Sequence, residues 1–331
     1  RVLFRSPTAT WTSPGSPTNA SAPSFGLAFE AAISGLTSSD ITNTGTATGC
    51  TFNPSASSGT SVTVAATGCS EGTVAPRLAA GSVADAAGND GPATRADATA
   101  ITVDRTPPAV SAFTSTSATP TNQSTATFRV TFNSAVTGVA AGDFTPTGTC
   151  TGWTVDSVSG SGSGPYVVTL SASPPTSGTL GLDLASGAVL DAATNAGPTA
   201  QASATGTITI DVTPPGTPSF TAGPTGDIAV STATFTFTGA TADDHYECQV
   251  DGAGAWASCA SPRAFTGLSD GAHSLGIRLV DEVGNAGADV TRSFTVDTAA
   301  PITTASITNA SPAGGSSTTA TGASMTFTGA D

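Results

Sequence analysis

Five cysteines are the residues of this 331-residue chain that could do covalent chemistry. Cys50 and Cys69 lie in one stretch of strand-like sequence and could bridge adjacent strands, while Cys248 and Cys259 flank a single predicted hairpin. A disulfide in either pair predicts an oxidising compartment. Cys150 is left without a partner, and two interpretations stay open for it: a small buried hydrophobic side chain, or a thiol that bonds to another chain.

Aspartates recur at matched positions, and carboxylate oxygens are the ligands that calcium prefers. The candidate calcium ligands are Asp40, Asp85, Asp104, Asp143, Asp191 and Asp211. Asp85 and Asn89 fall on one predicted turn, as do Asp191 and Asn195. Two interpretations are open: a calcium site that stiffens a junction, or turn chemistry, in which Asp and Asn side chains bond their own backbone. The absence of a dense run of alternating aspartates favours turn chemistry.

Sequence patterns of catalytic and cofactor sites are absent. His245 and His273 lack the spacing of a zinc site, and His273 falls in a predicted hairpin turn. No nucleophile elbow, Walker loop or dinucleotide fingerprint occurs. The glycine-rich run at residues 159–164 is typical of a flexible hairpin loop. We therefore predict that the chain is not an enzyme and that calcium is the one cofactor left to consider.

The charge of the chain excludes several classes of partner. The formal net charge is −14, and all nine basic residues are arginines scattered along the sequence. Nucleic-acid binding needs clustered positive charge, and an acidic membrane surface would repel this chain. No run of about 18 apolar residues occurs, so we expect no membrane insertion in this stretch. The lack of lysine also excludes crosslinks between lysine and asparagine side chains.

Three linkers of similar sequence divide the chain. They lie at residues 103–108, 210–215 and 296–301. Each follows an alternating, strand-like run, and the strand must end there because proline cannot donate to a ladder. The linkers predict four repeats: repeat 1 at residues 1–104, repeat 2 at 105–211, repeat 3 at 212–297, and the start of repeat 4 at 298–331. Both ends of the chain look cut, so we expect an excerpt from a longer protein.

The first two repeats match along their length. Phe25, Phe29, Ile33, Gly35 and Asp40 correspond to Phe128, Phe132, Val136, Gly138 and Asp143. Short alternating runs broken by turn residues predict an all-β fold of tandem two-sheet sandwiches, with long helices excluded. In repeat 2 we predict strands near residues 125–132, 153–159, 165–171, 178–184 and 206–210. Repeat 3 keeps the same closing element, at residues 279–287, after a different start.

Repeat 3 resembles a known family through three runs. They are residues 246–252 (YECQVDG), 256–262 (WASCASP) and 281–285 (DEVGN). These runs are similar to bacterial Ig-like repeats of very large secreted and cell-surface proteins. Repeats 1 and 2 resemble a sister group found in adhesins, through residues 132–138 and 143–144. The resemblance implies Ig-like β-sandwiches, an extracellular or cell-surface location, and pairing of Cys248 with Cys259, but it names no ligand.

The expected function is structural. We predict a stalk or fibre segment of an extracellular bacterial surface protein, giving reach and cohesion, with self-assembly into a filament as a variant. Its partners would be copies of itself or neighbouring repeats of the same chain. The alternatives are an adhesin module that binds a glycan or host protein, and an accessory region of a secreted enzyme or phage particle. Trp153 and Trp256 are predicted to lie in cores, so no aromatic binding platform stands out.

Overall fold

The computed structural model describes residues 5–305 and 327–330. These residues form β-strands and two short 3-10 helices, and they include no helix that is both long and apolar enough to cross a membrane. The chain divides into two compact units, Arg1–Asp211 and Val212–Asp331. Repeats 1 and 2 lie in the first unit, where neither contributes a described strand to the other's sheets.

Repeat 1 is a sandwich whose strands alternate between buried and exposed residues. Its strands are β1 (Ala9–Thr12), β2 (Ser24–Ser34), β3 (Ile41–Asn43), β4 (Thr51–Pro54), β5 (Gly59–Thr67), β6 (Gly72–Val74), β7 (Pro76–Leu78), β8 (Val83–Asp85), β9 (Asp90–Gly91), β10 (Ala96–Asp97) and β11 (Ile101–Val103). One sheet has the order β4-β5-β2-β8-β9, with β1 also paired to β2; the other strands pair as β10-β7-β3 and β11-β6. In β2, Phe25 and Leu27 are wholly buried while Ala28 is exposed, because successive side chains point to opposite faces.

Repeat 2 has the same plan. Its strands are β12 (Val110–Ser115), β13 (Thr125–Phe132), β14 (Phe144–Gly148), β15 (Thr154–Ser159), β16 (Tyr166–Ser171), β17 (Gly178–Leu184), β18 (Val189–Leu190), β19 (Ala196–Gly197), β20 (Ala202–Ser203) and β21 (Ile208–Ile210). The sheets run β12-β13-β16-β15 and β14-β17-β20, with β21 paired to β17 and β18 to β19. The five predicted strands are confirmed as β13, β15, β16, β17 and β21; the sequence reading missed the others. The 3-10 helices lie at Ser38–Asp40 in repeat 1 and at Ala141–Asp143 here.

Repeat 3 opens the second unit with a different strand order. Its strands are β22 (Ser219–Ala222), β23 (Asp227–Ile228), β24 (Thr232–Thr238), β25 (His245–Val250), β26 (Ala257–Cys259), β27 (Arg263–Thr266), β28 (Gly271–Val280) and β29 (Val290–Val296). They form a three-stranded sheet, β22-β24-β27, and a five-stranded sheet, β23-β29-β28-β25-β26. Beyond them, β30 (Ile302–Ala305) and β31 (Phe327–Ala330) pair in antiparallel fashion. The remainder of the predicted fourth repeat lies outside the described residues.

Buried apolar side chains occur in each of the first three repeats, and in repeats 1 and 3 they form separate clusters. In repeat 1, Phe25 packs with residues from both layers, including Val64 and Ile101. In repeat 2, Phe128 has no exposed surface. In repeat 3, Phe235 is the wholly buried centre of a separate cluster. The protein is therefore all-β and consists of tandem Ig-like β-sandwiches, as predicted.

Candidate functional site at the ends of the repeats

The last strand of repeat 1 is bonded in parallel to a residue near the start of the same repeat. The backbone N–H of Thr18 donates to the carbonyl of Thr102 at 2.9 Å, and the N–H of Asp104 donates to the carbonyl of Thr18 at 3.0 Å. Val103, between the two bonds, is 1% exposed. We call this pair of parallel backbone bonds the end clamp.

Repeat 2 has the same end clamp. The N–H of Thr121 donates to the carbonyl of Thr209 at 3.0 Å, and the N–H of Asp211 donates to the carbonyl of Thr121 at 2.8 Å. Thr121 is 8% exposed, so water has little access to the clamp. In both repeats the segment before the clamp pairs with one sheet (β1 with β2, β12 with β13), and the clamp itself joins the other layer. The first segment of each sandwich therefore links its two layers.

Repeat 3 replaces the single clamp residue by the short strand β23, which runs parallel to β29. The N–H of Thr295 donates to the carbonyl of Gly226 at 3.3 Å, and the N–H of Asp297 donates to the carbonyl of Ile228 at 2.9 Å. In all three repeats, the aspartate of the linker thus donates its N–H to an end clamp. We call the linker residues that follow this aspartate the joint. Two of these aspartates, Asp104 and Asp211, are predicted calcium ligands because of their carboxylates, whereas the contact that all three share is made by their backbone.

Parallel pairing determines how an end clamp responds to tension. Because the opening segment and the last strand run in the same direction, the chain enters the pair at one end and leaves it at the other. Opposed forces on the two ends of a repeat then act along the strands. The hydrogen bonds lie across this direction, so they are sheared together rather than broken one after another.

The joint between repeats 1 and 2 is fastened to repeat 1 by Arg105. Its Nη1 donates to the carbonyl of Cys69 at 3.1 Å, and its Nη2 donates to the carbonyl of Ala20 at 2.9 Å. The backbone N–H of Arg105 donates to Glu71 Oε1 at 2.7 Å, and the hydroxyl of Thr106 lies 2.9 Å from each oxygen of the same carboxylate. A planar guanidinium with two fixed acceptors restrains direction as well as distance.

The joint is fastened to repeat 2 by Asn195. Its side-chain amide donates to Asp191 Oδ2 at 2.9 Å and to the backbone carbonyl of Asp104 at 3.0 Å, so it reaches the end of the last strand of repeat 1. Asp191 Oδ1 accepts the backbone N–H groups of Ala193 and Asn195, both at 2.9 Å. Asp191 and Asn195 are each 7% exposed, and a buried, satisfied polar pair of this kind holds one geometry.

The closing turns of repeats 1 and 3 repeat this internal pattern. Asp85 accepts the backbone and side-chain N–H groups of Asn89, and Asp281 accepts those of Asn285. The hydrogen bond from the Asn89 side chain is the main cause that lowers the pKa of Asp85. A glycine follows each turn where joint proline backbone comes close, and Gly197 is the tightest case: a Cβ there would lie 2.1 Å from the carbonyl oxygen of Pro108.

Three more of the predicted calcium ligands accept hydrogen bonds from nearby backbone. Asp40 Oδ2 accepts the N–H of Thr37 at 2.7 Å, and Asp143 Oδ2 accepts the N–H of Ala140 at 2.7 Å, each closing a 3-10 helix. Asp104 Oδ1 accepts the N–H of Thr106 at 3.0 Å. Within residues 5–305 and 327–330, no three His, Cys, Asp or Glu residues come together as a metal-binding group. Turn chemistry accounts for these carboxylates, and calcium binding stays a prediction.

Two disulfides are present, Cys50–Cys69 and Cys248–Cys259, with Cα–Cα distances of 4.1 and 5.8 Å. The first lies next to the joint, because the carbonyl of Cys69 is one of the two acceptors of the Arg105 side chain. The second ties the β25–β26 hairpin, with Cys248 8% exposed. Each bond stabilises its repeat by about 2–4 kcal/mol through restriction of the unfolded chain.

Cys150 is the free cysteine, and the structure places it where repeat 1 has Ala47. The N–H of Cys150 donates to the carbonyl of Thr179 at 3.1 Å, as that of Ala47 does to Thr73 at 3.0 Å. The position of Cys50 is then taken by Trp153. Cys150 is therefore not the surviving half of a lost disulfide. Its thiol donates to the carbonyl of Thr176 at 3.3 Å, and burial raises its pKa.

The three tryptophans have different surroundings. Trp11 donates its indole N–H to the carbonyl of Ala96 at 3.0 Å, and Trp153 is 7% exposed, as predicted for a core residue. The prediction that Trp256 lies in a core is wrong, because Trp256 does not belong to the repeat 3 core. The Arg278 guanidinium lies 4.6 Å from the centroid of its ring, and the ring approaches Gly276. The reason is strand alternation, which puts residue 256 on the opposite face of the hairpin from the inward-facing Cys259.

No protein-family model and no curated protein matches this sequence. Among solved structures, the chain is similar to fibronectin(III)-like modules of CbhA from Clostridium thermocellum, with 14% identity, a TM-score of 0.28, and coverage of 56% of this chain and 93% of that chain. A C-terminal 282-residue fragment of intimin, in complex with the intimin-binding domain of its translocated receptor, is 13% identical with a TM-score of 0.25. The match covers 60% of this chain and 66% of that chain. Domains 1–6 of the surface layer protein SbsC are 11% identical with a TM-score of 0.22, and the match covers 88% of this chain and 54% of that chain. At these TM-scores the similarities carry no argument of their own, and the fold rests on the sheets and cores described above.

Proposed function

We propose that the chain is a structural stalk or fibre segment of an extracellular bacterial surface protein, and that it acts by resisting tension. The observation that carries this proposal is the end clamp, which recurs in repeats 1, 2 and 3 and always uses the residue before the joint.

The joint between repeats 1 and 2 supports the same proposal. Arg105 binds carbonyl groups of repeat 1, and Asn195 of repeat 2 binds the carbonyl of Asp104. Tension on the chain is thereby passed through side-chain contacts as well as through the linker itself. The two disulfides support an extracellular location, since such bonds persist in oxidising compartments.

The tryptophans favour the structural role over glycan binding, which usually needs an exposed aromatic face. Trp153 is buried, and Trp11 packs edge-on against Phe25 with ring centroids 6.3 Å apart. Trp256 is half-buried beneath the Arg278 guanidinium, which is itself held by Glu247 at 2.6 Å. This stack stabilises the outer face of the sheet, at about 0.5–2 kcal/mol for the cation–π contact.

Stretching single molecules of the chain tests the proposal. Thr121→Pro removes the N–H that donates to Thr209, and we expect the unfolding force of repeat 2 to fall while those of repeats 1 and 3 stay unchanged. The event for repeat 2 is recognised by its contour length, about 350 Å for roughly 100 residues, because the Cys50–Cys69 and Cys248–Cys259 disulfides shorten the extension of repeats 1 and 3. Thr121→Ala is the matched control, because it keeps both backbone bonds. Equal unfolding forces for the two variants would overturn the proposed role of the end clamp.

The proposal includes association with other copies of the chain through sheet edges. β15 pairs with β16 alone, so its outer edge offers backbone groups for strand addition. A bulge between Val155 and Ser157 interrupts this edge. Sedimentation over a range of concentrations measures the association, and we expect reversible, concentration-dependent oligomers. A monomer at every concentration would contradict filament formation and leave the stalk role intact.

A further inference from the structure

His273 lies with both of its ring nitrogens against hydrogen-bond acceptors. Nδ1 is 2.8 Å from Asp251 Oδ2, and Nε2 is 2.8 Å from the carbonyl oxygen of Ser269. The side chain is only 9% exposed, and the Phe294 ring packs 5.7 Å from it. A neutral imidazole has a single N–H and would leave a lone pair facing one of the two acceptors. The geometry fits the imidazolium, which donates at both nitrogens.

The two hydrogen-bond partners of the ring favour its charged form. From the β25–β26 turn comes the Asp251 carboxylate, whose other oxygen accepts the N–H of Ser274 at 2.7 Å. The Ser269 carbonyl lies in the turn before β28, and the uncharged ring of Phe294 lies on β29. The hydrogen bonds to Ser269 and then to Asp251 raise the pKa of His273, against a smaller opposing effect of burial.

The turn that His273 holds also holds the joint after repeat 3. Asp270, next to Ser269, accepts the backbone N–H of Thr298 at 2.9 Å and its hydroxyl at 2.7 Å. Thr298 directly follows Asp297, whose N–H completes the end clamp. These contacts with Thr298 lower the pKa of Asp270, which keeps its carboxylate charged.

We propose that His273 is a pH-sensitive latch on the joint that follows repeat 3. Protonated, the ring fixes Ser269 and Asp251 together, and Asp270 is thereby positioned to hold Thr298 against the sandwich. Deprotonated, the ring gives up one of its two bonds, the turn before β28 loosens, and the joint is released.

The direction of the pH effect follows from the raised pKa. The latch contributes its full stability below the ordinary histidine pKa of about 6.5, and this contribution is lost as the pH rises through the higher pKa of the folded state. We therefore expect a joint that is held in mildly acidic conditions and released as the pH rises through the raised pKa of His273. Asp270 stays charged through this range and contributes no step of its own.

NMR titration of the whole chain tests the latch. The His273 ring is followed together with the backbone amide of Thr298, from about pH 5 to about pH 9. We expect the Thr298 resonance to shift, and its amide to lose protection, with the midpoint of the His273 titration. The backbone amide of Arg105 is the internal control, because Arg105 directly follows Asp104 as Thr298 follows Asp297, and its N–H donates to the Glu71 carboxylate at 2.7 Å.

Two variants separate the latch from general destabilisation. In Asp270→Asn the His273 titration should persist while Thr298 no longer follows it. In His273→Gln the Thr298 amide should lose its pH dependence altogether. If the amides of Thr298 and Arg105 show the same pH dependence in the unmodified chain, or if that of Thr298 does not change at the His273 midpoint, the latch is overturned. The first comparison needs no variant, so the proposal stays testable if His273→Gln does not fold.

Discussion

Replacing Phe235 by alanine should strongly destabilise repeat 3 and leave the stability of repeats 1 and 2 unchanged. Phe235 has no exposed surface, and the rings of Phe294, Phe220 and Phe265 lie 5.4, 5.8 and 6.2 Å from its own. Its loss costs about 3–5 kcal/mol, which is comparable to the whole stability of a small domain. Because the core of repeat 3 is a separate cluster, we expect none of this loss to reach the other repeats.

The three tryptophans make this prediction measurable, since each repeat contains one of them. With fluorinated tryptophan, Trp11, Trp153 and Trp256 report on repeats 1, 2 and 3 as separate resonances during thermal unfolding. Only the Trp256 signal should move to a lower transition temperature. The control is Thr234→Ala, an exposed neighbour on β24, for which we expect a change within about 0.5 kcal/mol. Joint movement of all three signals would show one cooperative unit and contradict independent cores.

The strands of repeat 2 that the sequence reveals are those with clear alternation. Thr125–Phe132 puts Phe128, Val130 and Phe132 on the buried face, and this pattern predicts the strand with nearly its observed bounds. Strands of two residues, such as Val189–Leu190, have no period to detect. The first strand, Val110–Ser115, has only Phe113 buried and was missed.

The end clamps could not have been predicted from sequence, because their contacts use backbone groups. Thr18 and Thr121 take part through N–H and C=O, which every residue except proline offers, so no side-chain type marks them. Only one of the two roles of Asn195 could be predicted from the sequence. Its turn with Asp191 follows from the residue types, but its contact with Asp104 depends on how one repeat packs against the next. The match of Cys150 with Ala47 could not have been predicted either, since loop register is fixed by hydrogen bonds rather than by residue type.

The match between Gly91 and Gly197 was visible in the sequence, but its reason is a close approach of backbone. A Cβ at Gly197 would lie 2.1 Å from the Pro108 carbonyl oxygen and 2.9 Å from its ring carbons. Neither group belongs to a flexible side chain, so the joint itself would have to move. Glycine at this position is thus a requirement of the contact between the closing turn and the joint, and a test of that contact follows.

Gly197→Ala should destabilise repeat 2 and loosen the joint before it. Forcing a methyl group into a packed site costs about 1–3 kcal/mol, so the Trp153 signal should move to a lower transition temperature while the Trp11 signal changes little. The rate of trypsin cleavage reports on the joint directly, because Arg105 lies within it. In the intact protein the Arg105 side chain is held by the carbonyls of Cys69 and Ala20. We expect faster cleavage after Arg105 in this variant.

Gly142→Ala is the matched control in the same repeat. A Cβ there meets nothing within 4 Å, and the backbone does not adopt a left-handed conformation at this residue. We expect its stability to stay within about 0.5 kcal/mol of the unmodified protein and its cleavage rate to be unchanged. If Gly197→Ala and Gly142→Ala behave alike in both measurements, the closing turn does not restrain the joint. The tension path between repeats 1 and 2 would then run through the linker and Arg105 alone.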